Sequence, residues 1–263
     1  MGNINVVLST NEDENYIHFW IPVARAYKMI FPDWTINLAF LTNREEDDEL
    51  VTEFRKYGNV KLYRPVKDVP EFAQAKMIRF ILASELEGIS YVDDIDLFPL
   101  SKEFIVSKLN ERPVNRLLCV GGEVYCDNGC YPVSQMTAEQ SVWQRLINPK
   151  GLSYPDLIEW LKNLPVMFDI RENLCIALDW EMDHYFSDER LLRKLRAINP
   201  VPIHEESRGY ANYMESTLDR AGWKMDEGKL NSHRYVNAHC CRPYKEEHMI
   251  PLFEYLRTNY CTK

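Results

Sequence analysis

The 263-residue chain has no run of about 18 apolar residues, which excludes a helix long and apolar enough to span a membrane. It also lacks a basic excess: 31 Lys and Arg stand against 40 Asp and Glu, for a net charge of −9. A binder of the phosphate backbone needs the opposite balance, so nucleic acid is not an expected partner. No Asn-X-Ser/Thr acceptor occurs. The opening MGNINVVLSTN has neither a basic n-region nor an apolar stretch long enough for a signal peptide, and Val6 stands where a myristoylation signal needs Ser or Thr. The seven cysteines form no regular framework. Free thiols in a reducing cytoplasm are the simplest expectation. No linker rich in Gly, Ser or Pro and no internal repeat divides the chain, so one domain over 1–263 is expected. With 46% hydrophobic and 12% aromatic residues it has enough apolar mass for a sizeable core.

What is present is alternation. INVVLS (Ile4–Ser9), TINLAFL (Thr35–Leu41), NVKLYR (Asn59–Arg64) and ISYV (Ile89–Val92) are short β-branched or apolar runs that predict strands. Between them lie helical patterns. YIHFWIPVARAYKMIF carries Phe19, Val23, Tyr27 and Ile30 on one stripe and stops at Pro32. REEDDELVTEFRKYG carries Leu50, Phe54 and Tyr57, with Gly58 as its stop, and EFAQAKMIRFILASELEG closes on Gly88. Strand–helix repetition predicts right-handed crossovers and an α/β fold, a mainly parallel twisted sheet with helices on both faces. Further on, LLCV (Leu117–Val120) predicts a strand. TAEQSVWQRLI, YPDLIEWLKNL, SDERLLRKLRAI (Ser187 as N-cap) and RPYKEEHMIPLFEYLRTN predict helices, the last kinked or divided at Pro251.

Ligands of such sheets sit outside the carboxyl ends of the strands. Both TNEDEN and the acidic YVDDID fall there. Asp94 and Asp96 stand at i and i+2, and on extended backbone both carboxylates point one way and can hold a hard divalent cation, Mg²⁺ or Mn²⁺. Asp93 could be a further ligand or face the core. Lys76 and Arg79, one turn apart on the preceding helix, are placed to clamp a diphosphate. YVNAHCCRPYKEEH offers His239 as a third metal ligand, with Arg242 and Lys245 for phosphate. A zinc site from Cys126, Cys130, Cys240 and Cys241 is the weaker alternative, because their spacing matches no standard pattern.

In order along the chain, these residues resemble the GT-A fold nucleotide-sugar glycosyltransferases, and in particular the glycogenin and galactosyltransferase-like family 8 enzymes. VVLSTNEDENY is similar to that family's first strand and uridine loop, which implies that Thr10, Asn11 and Tyr16 hold the base. Lys76, with Arg79 as second candidate, resembles its lysine before the acidic motif, and Asp94-Ile95-Asp96 its Asp-X-Asp metal motif. HCCRPY resembles its late His-X-X-X-Lys-Pro-Trp stretch, with His239 as metal ligand and Arg242 for the phosphate-contacting lysine. The spacing there is one residue shorter, and Tyr244 stands for Trp. The likeness covers the first hundred residues well and the last thirty loosely.

The resemblance implies a metal-dependent transfer of a sugar from a nucleotide diphosphate, UDP-linked by preference, to a saccharide, glycan or glycoprotein acceptor. Family 8 enzymes retain configuration, and a carboxylate beyond the metal would act either as acceptor base (inverting) or as stabiliser of oxocarbenium charge (retaining). It implies Mn²⁺ or Mg²⁺ as cofactor. Residues 1–100 would form the nucleotide-binding half and 101–263 the acceptor-binding half. LDWEMDHYFSDE offers Asp179, Glu181, Asp183 and Asp188 as the carboxylate beyond the metal, and Asp183, followed by His184, matches the family's middle motif best. Two other readings compete. A nucleotidyltransferase would need a glycine-rich basic signature near the first strand, where TNEDENY is acidic. A non-catalytic nucleotide-sugar binding protein would leave the aspartates as a solvated rim.

Overall fold

In the computed structural model the described residues are 3–112, 114–120, 133–164, 167–169, 174–176, 187–206 and 215–261. The chain runs β1 (Ile4–Thr10), α1 (Trp20–Ile30), β2 (Thr35–Leu41), α2 (Glu49–Arg55), β3 (Asn59–Tyr63), α3 (Glu71–Glu85) and β4 (Ile89–Val92). There follow β5 (Leu97–Pro99), α4 (Lys102–Glu111), β6 (Leu117–Val120), β7 (Met136–Glu139), α5 (Gln140–Ile147) and α6 (Tyr154–Lys162). The rest comprises β8 (Met167–Asp169), β9 (Leu174–Ile176), α7 (Ser187–Ile198), β10 (Ile203–Glu206), β11 (Thr217–Leu218), α8 (Glu227–Asn231), β12 (Asn237–His239) and α9 (Glu246–Tyr260).

Seven of these strands form the main sheet, in the order β10-β6-β7-β4-β1-β2-β3. The β4–β1, β1–β2, β2–β3 and β10–β6 pairs are parallel, while β7 runs antiparallel to both β4 and β6. Every residue of β1 is buried, because helices cover both faces. Successive side chains on a strand point to opposite sides. Val6 and Leu8 accordingly pack with Val23, Tyr27, Phe54 and Leu252 on the side of α1, α2 and α9. Val7 packs with Met77, Phe80, Trp143 and Leu157 on the side of α3, α5 and α6. Helix α3 buries Ala73 through Ser84 apart from Lys76, so it is wedged between the sheet and α5 rather than lying on the surface. Its exit needs Gly88: φ is +95°, and a Cβ there would sit 2.2 Å from the carbonyl oxygen of Asn3.

Two expectations need correction. The helix expected from Thr137 begins only at Gln140; Met136–Glu139 is a strand paired with β4, Val92 against Met136 and Ser90 against Ala138. Pairing in the sheet overrides the local helical preference of Thr-Ala-Glu. Pro251 does not divide the last helix, which runs unbroken from Glu246 to Tyr260.

A second, three-stranded sheet in the order β11-β12-β5 stands beside the first. β12 pairs antiparallel with β5, His239 against Leu97, and the amide of Cys240 donates to the Asp96 carbonyl at 2.8 Å. β11 lies parallel to β12. These short pairings bring residues around 220 and 240 to the end of β4.

Candidate functional site

β1 and β4 are parallel neighbours, with Val7 level with Val92, so Thr10 and Asp93 leave the sheet at the same edge. The loop after β1 is tied by its own side chains. Asn11 Oδ1 accepts from the Asp13 amide at 3.3 Å, and Asp13 Oδ1 from that of Asn15 at 2.9 Å. Glu12 is anchored by Arg44 at 2.9 Å. Thr10 is buried and its hydroxyl donates to the Asn11 carbonyl at 3.0 Å.

After β4 the chain does not stay extended. The amide of Leu97 donates to the Asp94 carbonyl at 3.1 Å, closing a turn over Ile95 and Asp96. The three aspartates therefore part. Asp93 is buried and accepts a 2.7 Å hydrogen bond from the Tyr27 phenol on one oxygen and the Asp94 amide, at 2.9 Å, on the other. Burial pushes its pKa up to about 8, against the pull of Tyr27. Asp94 takes an ion pair from Arg79, a buried guanidinium that also donates to the Asp93 carbonyl at 3.2 Å. Lys76 lies one turn earlier on α3 and is half-buried.

Asp96 is buried, and three cationic groups meet at its Oδ2: Arg220 Nη1 at 2.9 Å, Arg242 Nε at 3.3 Å and His239 Nε2 at 3.5 Å. Burial works against the charged carboxylate, yet His239 and then Arg220 hold its pKa below the ordinary value. The other imidazole nitrogen, Nδ1, lies 3.7 Å from Asp219. Burial pulls the imidazole down, but the two flanking carboxylates outweigh it and carry its pKa up to about 9. Arg242 also covers the ring of Tyr16, its guanidinium carbon 4.7 Å from the ring centre. Tyr16, Arg242, His239 and Asp96 thus form one continuous set.

The expected three-ligand metal set does not assemble. Asp94 turns to Arg79 and only Asp96 and His239 come together; among the described residues no group of three His, Cys, Asp or Glu side chains could hold a metal ion. The i, i+2 argument fails because it assumed extended backbone where the chain turns. Asp96 is already matched by two guanidiniums, so the donor set present does not fit a Mn²⁺ or Mg²⁺ site. Asp183, Asp179 and Glu181, together with Cys126 and Cys130 of the zinc alternative, lie outside the described residues. Sequence reasoning missed Arg220 and Asp219, whose only signal is an Asp-Arg pair next to a two-residue strand. It read Tyr27 as core alone.

No family model matches the chain, and no curated protein does. Solved structures do. An active-site mutant of LgtC superposes over 97% of this chain and 95% of its own with a TM-score of 0.51, at 12% identity. The fold is that of the GT-A nucleotide-diphospho-sugar transferases. Galactosyltransferase LgtC in complex with donor and acceptor sugar analogs matches over the same shares at 13% identity and a TM-score of 0.48. The glycosyltransferase GlyE of Streptococcus pneumoniae matches over 98% of this chain and 61% of its own, at 12% identity and a TM-score of 0.48. The Asp96 cluster lies at the carboxyl edge of the strands, outside which open α/β sheets in general take their ligands.

Proposed function

We propose that this chain is a glycosyltransferase that moves a sugar from a nucleotide diphosphate, a UDP-sugar by preference, to a saccharide, glycan or glycoprotein acceptor, with retention. The observation that carries the reading is the convergence of Arg220, Arg242 and His239, with Tyr16 beneath Arg242, at the carboxyl edge of a GT-A sheet. Cations gathered there suit a leaving group that gains negative charge. As the bond between the anomeric carbon and the β-phosphate oxygen breaks, its electron pair goes to the diphosphate. Fixed guanidiniums stabilise that charge where it develops. The acceptor oxygen forms the new bond to the anomeric carbon on the face the diphosphate leaves, and its proton passes to the departing phosphate oxygen, while a carboxylate such as Asp183 is proposed to stabilise the oxocarbenium charge.

Thr10, Asn11 and Tyr16 are the residues proposed for the base, Lys76 and Arg79 for the phosphates or for the aspartates that border them. The UDP preference, the retention and the Mn²⁺ or Mg²⁺ expectation come from the family likeness, and no step above runs through a metal. The acceptor is read by the second half, 101–263, and the cysteine usage favours the cytoplasm.

The test is a thermal-shift screen of nucleotide sugars followed by an assay of donor hydrolysis. A ligand that binds only the native state raises its melting temperature. We expect a UDP-sugar to raise it and to be turned over; no response to any nucleotide sugar would sink the reading.

A further inference from the structure

We propose that the guanidiniums of Arg220 and Arg242, with the imidazole of His239, hold the donor's diphosphate in the place where the fold class leads one to expect a divalent cation. This inference rests on the donor reading above and concerns how that donor is held.

Three observations carry it. Asp94, the first residue of the Asp-X-Asp, is paired with Arg79, whose side chain is only 5% exposed and is also fixed by the Asp93 carbonyl. One Asp94 oxygen, Oδ1, is thereby committed to a buried cation, which weakens the carboxylate's pull on a metal. Asp96 meets two guanidiniums and the His239 imidazole at a single oxygen, within 2.9 to 3.5 Å. A Mg²⁺ or Mn²⁺ ion seated there, at roughly 2.1 Å, would face both guanidiniums at close range. Finally, Asp96 by itself carries two guanidiniums, an arrangement that suits an arriving anion better than an arriving dication.

The guanidiniums also have donors to spare. Arg220 reaches Asp96 through one Nη and Arg242 through Nε, and each group carries five N–H donors in a planar fork suited to phosphate oxygens. Their side chains are each 23% exposed, which leaves part of both forks on the surface. Asp96 then acts as the anchor that aims the cations, and not as a metal ligand.

The experiment is calorimetric titration of the full chain with UDP, once in EDTA and once with Mn²⁺, together with a titration of Mn²⁺ alone followed by electron paramagnetic resonance. The expected result is UDP binding whose Kd differs by less than about threefold between the two conditions, with no stoichiometric Mn²⁺ site. Arg220→Gln should weaken UDP binding by about tenfold or more in EDTA, and Arg220→Lys by less, because lysine keeps the charge but loses the fork. Melting temperatures of both variants check that they fold. UDP binding that appears only with Mn²⁺, or a stoichiometric Mn²⁺ site lost in Asp96→Asn, overturns the inference and leaves the donor reading intact. Absence of binding by UDP, GDP and ADP in both conditions overturns both.

Discussion

The phenol of Tyr27 donates a 2.7 Å hydrogen bond to Asp93, and both side chains are buried, so helix α1 is fastened to the turn that carries Asp94 and Asp96. Tyr27→Phe removes that donor and leaves a buried carboxyl oxygen short of a partner. The expected cost is about 1–3 kcal/mol. Urea unfolding measures it, and an unchanged midpoint would mean that the bond does not contribute.

Arg79 offers a second test on the other side of the same turn. Its guanidinium serves the Asp94 carboxylate and the Asp93 carbonyl together. Arg79→Ala leaves both without that donor, and hydrogen bonds to charged groups contribute roughly 1.5–3 kcal/mol. Arg79→Lys should recover only part of the loss, since one ammonium cannot reproduce the planar fork. Full recovery in thermal melts would show that charge alone matters there.

Two glycines with positive φ should respond differently to alanine. At Gly151 (φ +63°) nothing lies within 4 Å of the added Cβ, so only the left-handed backbone is penalised, by about 1–2 kcal/mol. At Gly88 the same atom would meet the Asn3 carbonyl at 2.2 Å. The first strand or the α3–β4 turn must then move, so Gly88→Ala should lower the melting temperature clearly more than Gly151→Ala. Equal shifts would contradict the close approach.

Tyr16 is contacted through its ring face by Arg242. Tyr16→Phe keeps that face and should leave nucleotide affinity nearly unchanged, whereas Tyr16→Ala frees Arg242 and should weaken binding, by about 0.5–2 kcal/mol if the stacking contact is what positions the cation. UDP titrations of the two variants decide the point. A large loss in Tyr16→Phe would instead assign the phenol oxygen a direct contact.

The first four strands and their helices were legible because each has a length and a period of its own, and because β1, buried throughout, and β2, buried except at Thr35, read as mainly apolar runs. The edge that carries the site followed from that order. What stayed hidden lies in elements too short to have a period. β11 has two residues and β12 three, and they bring Arg220 and His239 to Asp96 and Asp219 to His239. The turn over Ile95 and Asp96 was hidden too, since Asp-Ile-Asp fits an extended segment as well as a turn. The backbone pairing of Cys240 with Asp96 chose between them.

That pairing has a consequence for the order of assembly. Arg220 follows Asp96 by 124 residues, and His239 and Arg242 come later still. During synthesis the strands of the first hundred residues can leave the ribosome and pair while Asp96 is still without these cations. A nascent chain would therefore have its sheet before it has its anion site, and the last partners to emerge would be the ones that switch it on.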